Sequence, residues 1–255
     1  MSDAFALFAS LDSHEAMLLA IAALLASLVA GLSGMGGGML LAVAVSPVVG
    51  VEALVPILTV TMLINHVARV SAFYQHAEWP TAGRVLLTAI PTTIIGAFVY
   101  SLMAADTVAI VIGVFVLLFV PARRLFGESA WKVSNLGFMG VGAVFGFVSG
   151  AALGGGMIII PVLLGTGLSG ATLIGTDAII GLAVLVAKAG LFGALSVLTT
   201  SWLIFGVVVG IMTIPGVYLA RWLVQKSSVR VHTLLVECVL LVGGGSFVWR
   251  GFTGQ

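Results

Sequence analysis

Residues 16–51 contain no Asp, Glu, Lys or Arg, and neither do residues 133–176. Each run is broken by glycines, as Gly34-Met35-Gly36-Gly37-Gly38-Met39 and, 118 residues later, as Ala152-Leu153-Gly154-Gly155-Gly156-Met157. No soluble core needs charge-free runs of that length, whereas a bilayer span takes about 20 apolar residues. Only 7% of the 255 residues are charged and 61% are hydrophobic, against about 25% charged in an ordinary soluble domain. The chain therefore reads as an all-α polytopic membrane protein. A triglycine at membrane depth unwinds the backbone, which a bilayer tolerates only where it lines a cavity. A duplicated break of this kind points to a transporter binding site.

Hydropathy and turn signals place spans near 16–33, 39–50, 52–75, 81–104 and 106–121, then near 133–150, 157–168, 171–195, 201–224 and 229–250. The domains follow: a first membrane repeat over 1–121, a polar linker over 122–132 and a second membrane repeat over 133–255. Segments 39–50 and 157–168 have 12 residues each, about 18 Å of helix against a core of about 30 Å, so they are short or re-entrant. Ten crossings with the N-terminus outside put Arg84, Arg123, Arg124, Lys132, Arg221, Lys226 and Arg230 inside and Arg250 alone outside. Eight crossings divide the basic residues less sharply, so the positive-inside rule selects ten, with both termini periplasmic. The start has Asp3, Asp12 and Glu15 and no basic residue before Arg69, unlike a secretory signal, and is read as mature sequence.

Five crossings per half is an odd number, which inverts the second half relative to the first. The likeness extends past the glycines: Trp79 and Gly83 recur as Trp202 and Gly206, Ile90-Pro91 as Ile214-Pro215, and Ala68-Arg69 as Ala187-Lys188. Two inverted repeats of about five helical segments each are expected, a design common among secondary transporters. With these motifs in place, the chain resembles the TauE/SafE family of bacterial membrane proteins across roughly residues 16–250. Gly34-Met-Gly-Gly-Gly38 fits the family's Gly-x-Gly-Gly-Gly signature; Ala152-Leu-Gly-Gly-Gly156 lacks its first glycine but keeps a following proline, Pro161. The resemblance implies export of small sulfur-containing anions, sulfite or short organosulfonates, across the bacterial inner membrane.

The residues themselves carry an anion-site reading. Triglycine backbone exposes consecutive N–H groups, and the helix that follows adds its positive N-terminus. This marks Gly34, Gly36, Gly37, Gly38 and Met39, with Gly154, Gly155, Gly156 and Met157, as candidate substrate ligands. Gly142, Gly146, Gly150 and Gly154 recur every four residues, a stripe whose simpler meaning is helix packing. Arg69 and Lys188 fall at equivalent repeat positions; they either snorkel to headgroups or flank a central anion. Asn65, His66 and Arg69 share one helical face and suit an oxyanion, although His66 serves equally as a structural histidine. Thr176 joins the set, while threonines in spans often bond only their own backbone. Asp177 and Glu237 are intramembrane carboxylates, candidates for proton coupling or for pairing with a cation on another helix. Gly34, Pro91 and Pro215 are candidate flexure points.

Other classes fit less well. An enzyme would need a nucleophile with its base or a ligand cluster; His14, His66, His76 and His232 are scattered and Cys238 stands alone, so no metal or cofactor is expected. Buried cations oppose a cation path, and a net charge of +1 offers nothing to nucleic acid. A carrier of another small anion, a proton-coupled carrier and a structural membrane subunit remain open readings. The partners expected are a small anionic substrate and the lipid bilayer, and a homodimer is compatible with the sequence.

Overall fold

The structure is a computed structural model that describes residues 12–104, most of 106–114, and 135–224. The linker at 122–132, the span at 229–250, both termini and Glu237 lie outside the described residues. Everything described is helix and connecting turn, without strands.

Helix α1, Ser13–Ser33, begins at Asp12, whose carboxylate and that of Glu15 form a capping box. It ends where Gly34 turns left-handed (φ 75°) and returns its N–H to the Ala30 carbonyl. Helix α2, Gly37–Phe73, opens after a second left-handed glycine, Gly36 (φ 83°), and is interrupted at Gly50 (φ 75°, ψ 171°). The interruption leaves a short piece, 37–49, and a long one, 51–73, close to the division expected from sequence. A 3-10 turn, Tyr74–His76, leads to α3, Trp79–Ser101, capped by Glu78. The second half supplies α4, Asn135–Ala151; the short α5, Gly156–Gly165; α6, Gly170–Ala194; and α7, Thr200–Val224. α3 and α7 run on through Pro91 and Pro215 as continuous helices.

Among the described residues five helical stretches, including α2 with its 3-10 turn, are long and apolar enough to cross a membrane. The pieces 37–49 and α5 cover only about 20 Å and 15 Å at 1.5 Å per residue. Both pack mainly against protein, with Pro47 and Leu164 left exposed. Met39, Leu41, Ala42 and Val45 pack into one core with Leu54, Ala97, Phe192, Phe205 and Val209. Ile159, Ile160, Val162 and Leu163 of α5 sit in a second, among Val85, Ala89, Phe138, Phe145 and Ile180. Helices too short to span are thereby kept from lipid. The outer faces of α1, α3 and α7 expose Leu18, Ile21, Leu87, Phe98, Ile211 and Trp222, as a bilayer requires.

The most extensive contact joins α3 to α4; α7 packs on α2 and α1, and α6 on α2 and α3. The glycine stripe of α4 makes the first of these. A methyl on Gly142 would lie 2.5 Å from Thr88 Oγ1, and one on Gly146 or Gly150 would collide with the Ala89 or Thr93 carbonyl. The α1–α7 contact has the same character, with Gly216 against Ser27 and Gly31 against Ala220. Removing side chains lets backbones approach where lipid gives no hydrophobic push between helices. Gly146→Val is therefore expected to cost about 1–3 kcal/mol by overpacking, lowering the melting temperature in detergent. Gly140→Ala, with nothing within 4 Å, should leave it unchanged.

Candidate functional site

The two glycine breaks meet. A methyl on Gly156 would lie 3.3 Å from the Gly34 carbonyl oxygen and 3.7 Å from Met35 Cα. Around this junction lies a cavity of about 120 Å³, room for several waters or one small solute, since one water needs about 10–15 Å³. Of the residues expected from sequence, Gly34, Gly36, Gly37, Gly38, Met39, Asn65, His66, Arg69, Gly154, Gly155, Gly156, Asp177 and Lys188 line it. Met157 is buried but does not line it. Thr176 stands outside, bonding the Thr172 carbonyl and accepting the Glu78 N–H.

The glycines open the two helices differently. At α2 the first amide with a backbone acceptor is that of Leu40, bonded to Gly36, so the amides of Gly37, Gly38 and Met39 have no partner among the described residues. At α5, Met157 and Ile158 already donate to Gly154 and Gly155 at 3.0 and 2.9 Å. The first break offers the fuller set of free donors at a positive helix end.

Arg69 and Lys188 are each about 1% exposed, so neither snorkels to headgroups. Repeat-equivalent in sequence, they have different partners. Arg69 donates from Nη2 to Asp177 Oδ2 at 2.7 Å, a buried ion pair joining α2 to α6. The carboxylate whose partner sequence could not name is thus held by the other half's cation. Arg69 Nη1 also lies 3.4 Å from His66 Nε2, and His66 Nδ1 lies 2.8 Å from the Met62 carbonyl. Because a carbonyl and a guanidinium have fixed roles, Nδ1 carries the proton and Nε2 accepts, which makes His66 neutral. Gly181 leaves space for the ring; a methyl there would strike the imidazole. Lys188 donates to the Ser149 and Ala152 carbonyls at 2.8 and 2.9 Å, binding the negative end of α4. Its ammonium also lies 5.4 Å from the Phe192 ring centroid and 5.9 Å from that of Tyr100.

Three side chains hold buried polar atoms without a partner among the described residues: both amide atoms of Asn65, Nε of Arg69 and the hydroxyl of Ser149. All three residues line this cavity. Buried polar atoms normally find partners, so their convergence marks the place for a polar occupant. Ser149 was missed by sequence reasoning: it sits between stripe glycines on a packing helix. The signal available was its spacing, one turn before the second triglycine. Thr59 also lines the cavity, but its hydroxyl bonds the Val55 carbonyl. Among the described residues no group of His, Cys, Asp or Glu forms a metal cluster.

The profile of the sulfite exporter TauE/SafE family matches residues 19–247, nearly the whole chain. No curated protein and no solved structure matches it. Removing Arg69 alone strands the Asp177 charge. Arg69→Ala is expected to cost about 3–5 kcal/mol, whereas Arg69→Met combined with Asp177→Leu should regain most of that. Thermal unfolding of the three proteins in detergent checks this; equal losses in single and double variants would show the pair to be energetically idle.

Proposed function

The chain belongs to the sulfite exporter TauE/SafE family, a family of membrane transporters of sulfur anions, and from that premise we propose that it is a secondary transporter binding its anion between the two glycine breaks. The substrate is a small sulfur-containing anion, sulfite or a short organosulfonate, exported across the inner membrane by alternating access. One observation carries the reading. The unpartnered atoms of Asn65, Arg69 and Ser149 and the free amides opening α2 all belong to residues around one cavity. All but the Asn65 carbonyl oxygen can donate, the Ser149 hydroxyl being able to accept as well. A tetrahedral oxyanion presents several acceptors in a compact volume and suits such a set.

The pattern of helix contacts supports an inverted repeat. α1 packs on α7 and its counterpart α4 packs on α3, so the first helix of either half rests on the other half's segment that carries Pro91 or Pro215. α2 and α6, also counterparts, pack on each other. Ser27 and Gly31 of α1 meet Gly216 and Ala220 of α7, as Gly146 and Gly150 of α4 meet Thr92 and Gly96 of α3. Rocking of one half against the other would alternate access to the junction. Direction follows the voltage: with the cell interior negative, each negative charge leaving gains about 2.3 kcal/mol per 100 mV, so export needs no coupling ion.

Asn65 separates binding from folding. In Asn65→Leu the orphaned amide is gone, so the empty protein should be as stable as the parent or more so. Loss of a hydrogen bond to a charged ligand, about 1.5–3 kcal/mol, should weaken anion binding by roughly 10- to 100-fold. The readouts are melting temperature and its rise across a panel of sulfite, sulfonates and halides, followed by sulfite efflux from proteoliposomes. Undiminished stabilisation and efflux in Asn65→Leu, or no response to any anion, would overturn the assignment.

A further inference from the structure

Resting on the anion-carrier reading, we infer that the site accepts one net negative charge, so that a divalent anion enters only together with a proton held by Asp177. The charged residues lining the cavity, among those described, are Arg69, Lys188 and Asp177. His66 is neutral by its hydrogen bonds. Two cations against one carboxylate leave a single positive charge, which a monovalent anion cancels. A divalent anion would leave the site negative among almost wholly buried groups, a state costing several kcal/mol unless balanced.

Asp177 is the group able to restore the balance. When its carboxylate takes a proton from the water that admits the anion, the bond to Arg69 Nη2 is released. Arg69 then faces the second negative charge, and Arg69 with Lys188 balances the dianion. His66 cannot substitute: its Nδ1–H is engaged by Met62, and a proton on Nε2 would stand against the Arg69 guanidinium. The other groups around Asp177 do not compete. α5 brings Ile160, the Gly34 turn brings backbone, and His76 of the 3-10 turn that packs on α6 is exposed. Glu78, before α3, has its carboxylate on the Thr81 amide. Arg84 is exposed and Arg221 lies in the last turn of α7.

Methanesulfonate and sulfate make a clean pair of probes, alike in size and tetrahedral shape and different by one charge. Calorimetric titration of the full chain in detergent, in buffers of different ionisation enthalpy, counts protons taken up on binding. Methanesulfonate should take up none and keep a constant affinity between about pH 8 and 5. Sulfate should take up one. Since the proton is bound in the complex, its affinity should rise about tenfold for each unit that the pH falls. In Asp177→Asn, sulfate should bind without proton uptake, and methanesulfonate, meeting one more unbalanced positive charge, should bind at least as tightly as in the parent. Sulfate binding without a proton, uptake that survives in Asp177→Asn, or methanesulfonate binding with no sulfate binding at any pH would overturn the inference. Should the variant not fold, the proton count on the parent protein still decides. Failure of both probes to bind would instead remove the anion site itself, and the charge count with it.

Discussion

Unwound backbone inside a membrane must be enclosed by protein, and the rest of this structure follows from meeting that condition twice. Each glycine break ends a helix and starts one too short to cross. Neither short helix can face lipid, because its ends would place unbonded amides and carbonyls in hydrocarbon. The long helices are arranged to prevent this: α3, α4 and α6 wrap α5, while α1, α6 and α7 enclose 37–49. The close α3–α4 and α1–α7 contacts, with glycines against opposing carbonyls, hold the enclosure shut.

Enclosure creates the second problem, which is charge. Arg69, Asp177 and Lys188 are almost wholly buried, and buried ions persist only with partners. The partners are drawn from across the halves in one case and from within a half in the other. Arg69 crosses to Asp177 on α6, so the two long central helices are tied at the cavity wall. Lys188 closes the carbonyl end of α4, fixing the turn that leads into the second glycine break. In the proposed carrier these cations both hold the scaffold and face the solute, which ties occupancy of the site to the packing of the halves.

Much of this was legible in the residues. Gly34 and Gly36 adopt left-handed φ that other residues rarely reach, so the first break could be read from glycine alone. The break at Gly50 falls at the boundary expected between spans 39–50 and 52–75. The contacts were not legible. Sequence spacing excluded Lys188 as the partner of Asp177 but could not supply Arg69, because pairing between helices depends on crossing geometry that periodicity does not encode. Ser149 was hidden for a related reason: a hydroxyl amid packing glycines looks like a small-residue filler until the opposing face is known. Thr176 shows the converse. It neighbours Asp177 in sequence, yet one residue turns a helix by about 100°, enough to take it from the cavity to the Glu78 loop.

The two halves share a design but have not kept the same chemistry, and the difference is concentrated at the junction. The first break leaves three amides free, and its half supplies Asn65, His66 and Arg69 to the cavity wall. The second bonds Met157 to its own turn, leaves the amides of Gly155 and Gly156 without a partner among the described residues, and supplies Asp177, Ser149 and Lys188. A symmetric pair of cations without Asp177 would carry two uncompensated charges in a dry site, at a cost of several kcal/mol for each. One carboxylate on the second half reduces that to a single charge, already eased by the α4 carbonyls around Lys188. Donors without fixed partners remain on both halves: Arg69 Nε and the amides of Gly37, Gly38 and Met39 on the first, the Ser149 hydroxyl on the second. In the proposed carrier a small anion at this junction would contact both halves at once, through Asn65 and Arg69 on one side and Ser149 and Lys188 on the other, and so hold them in register.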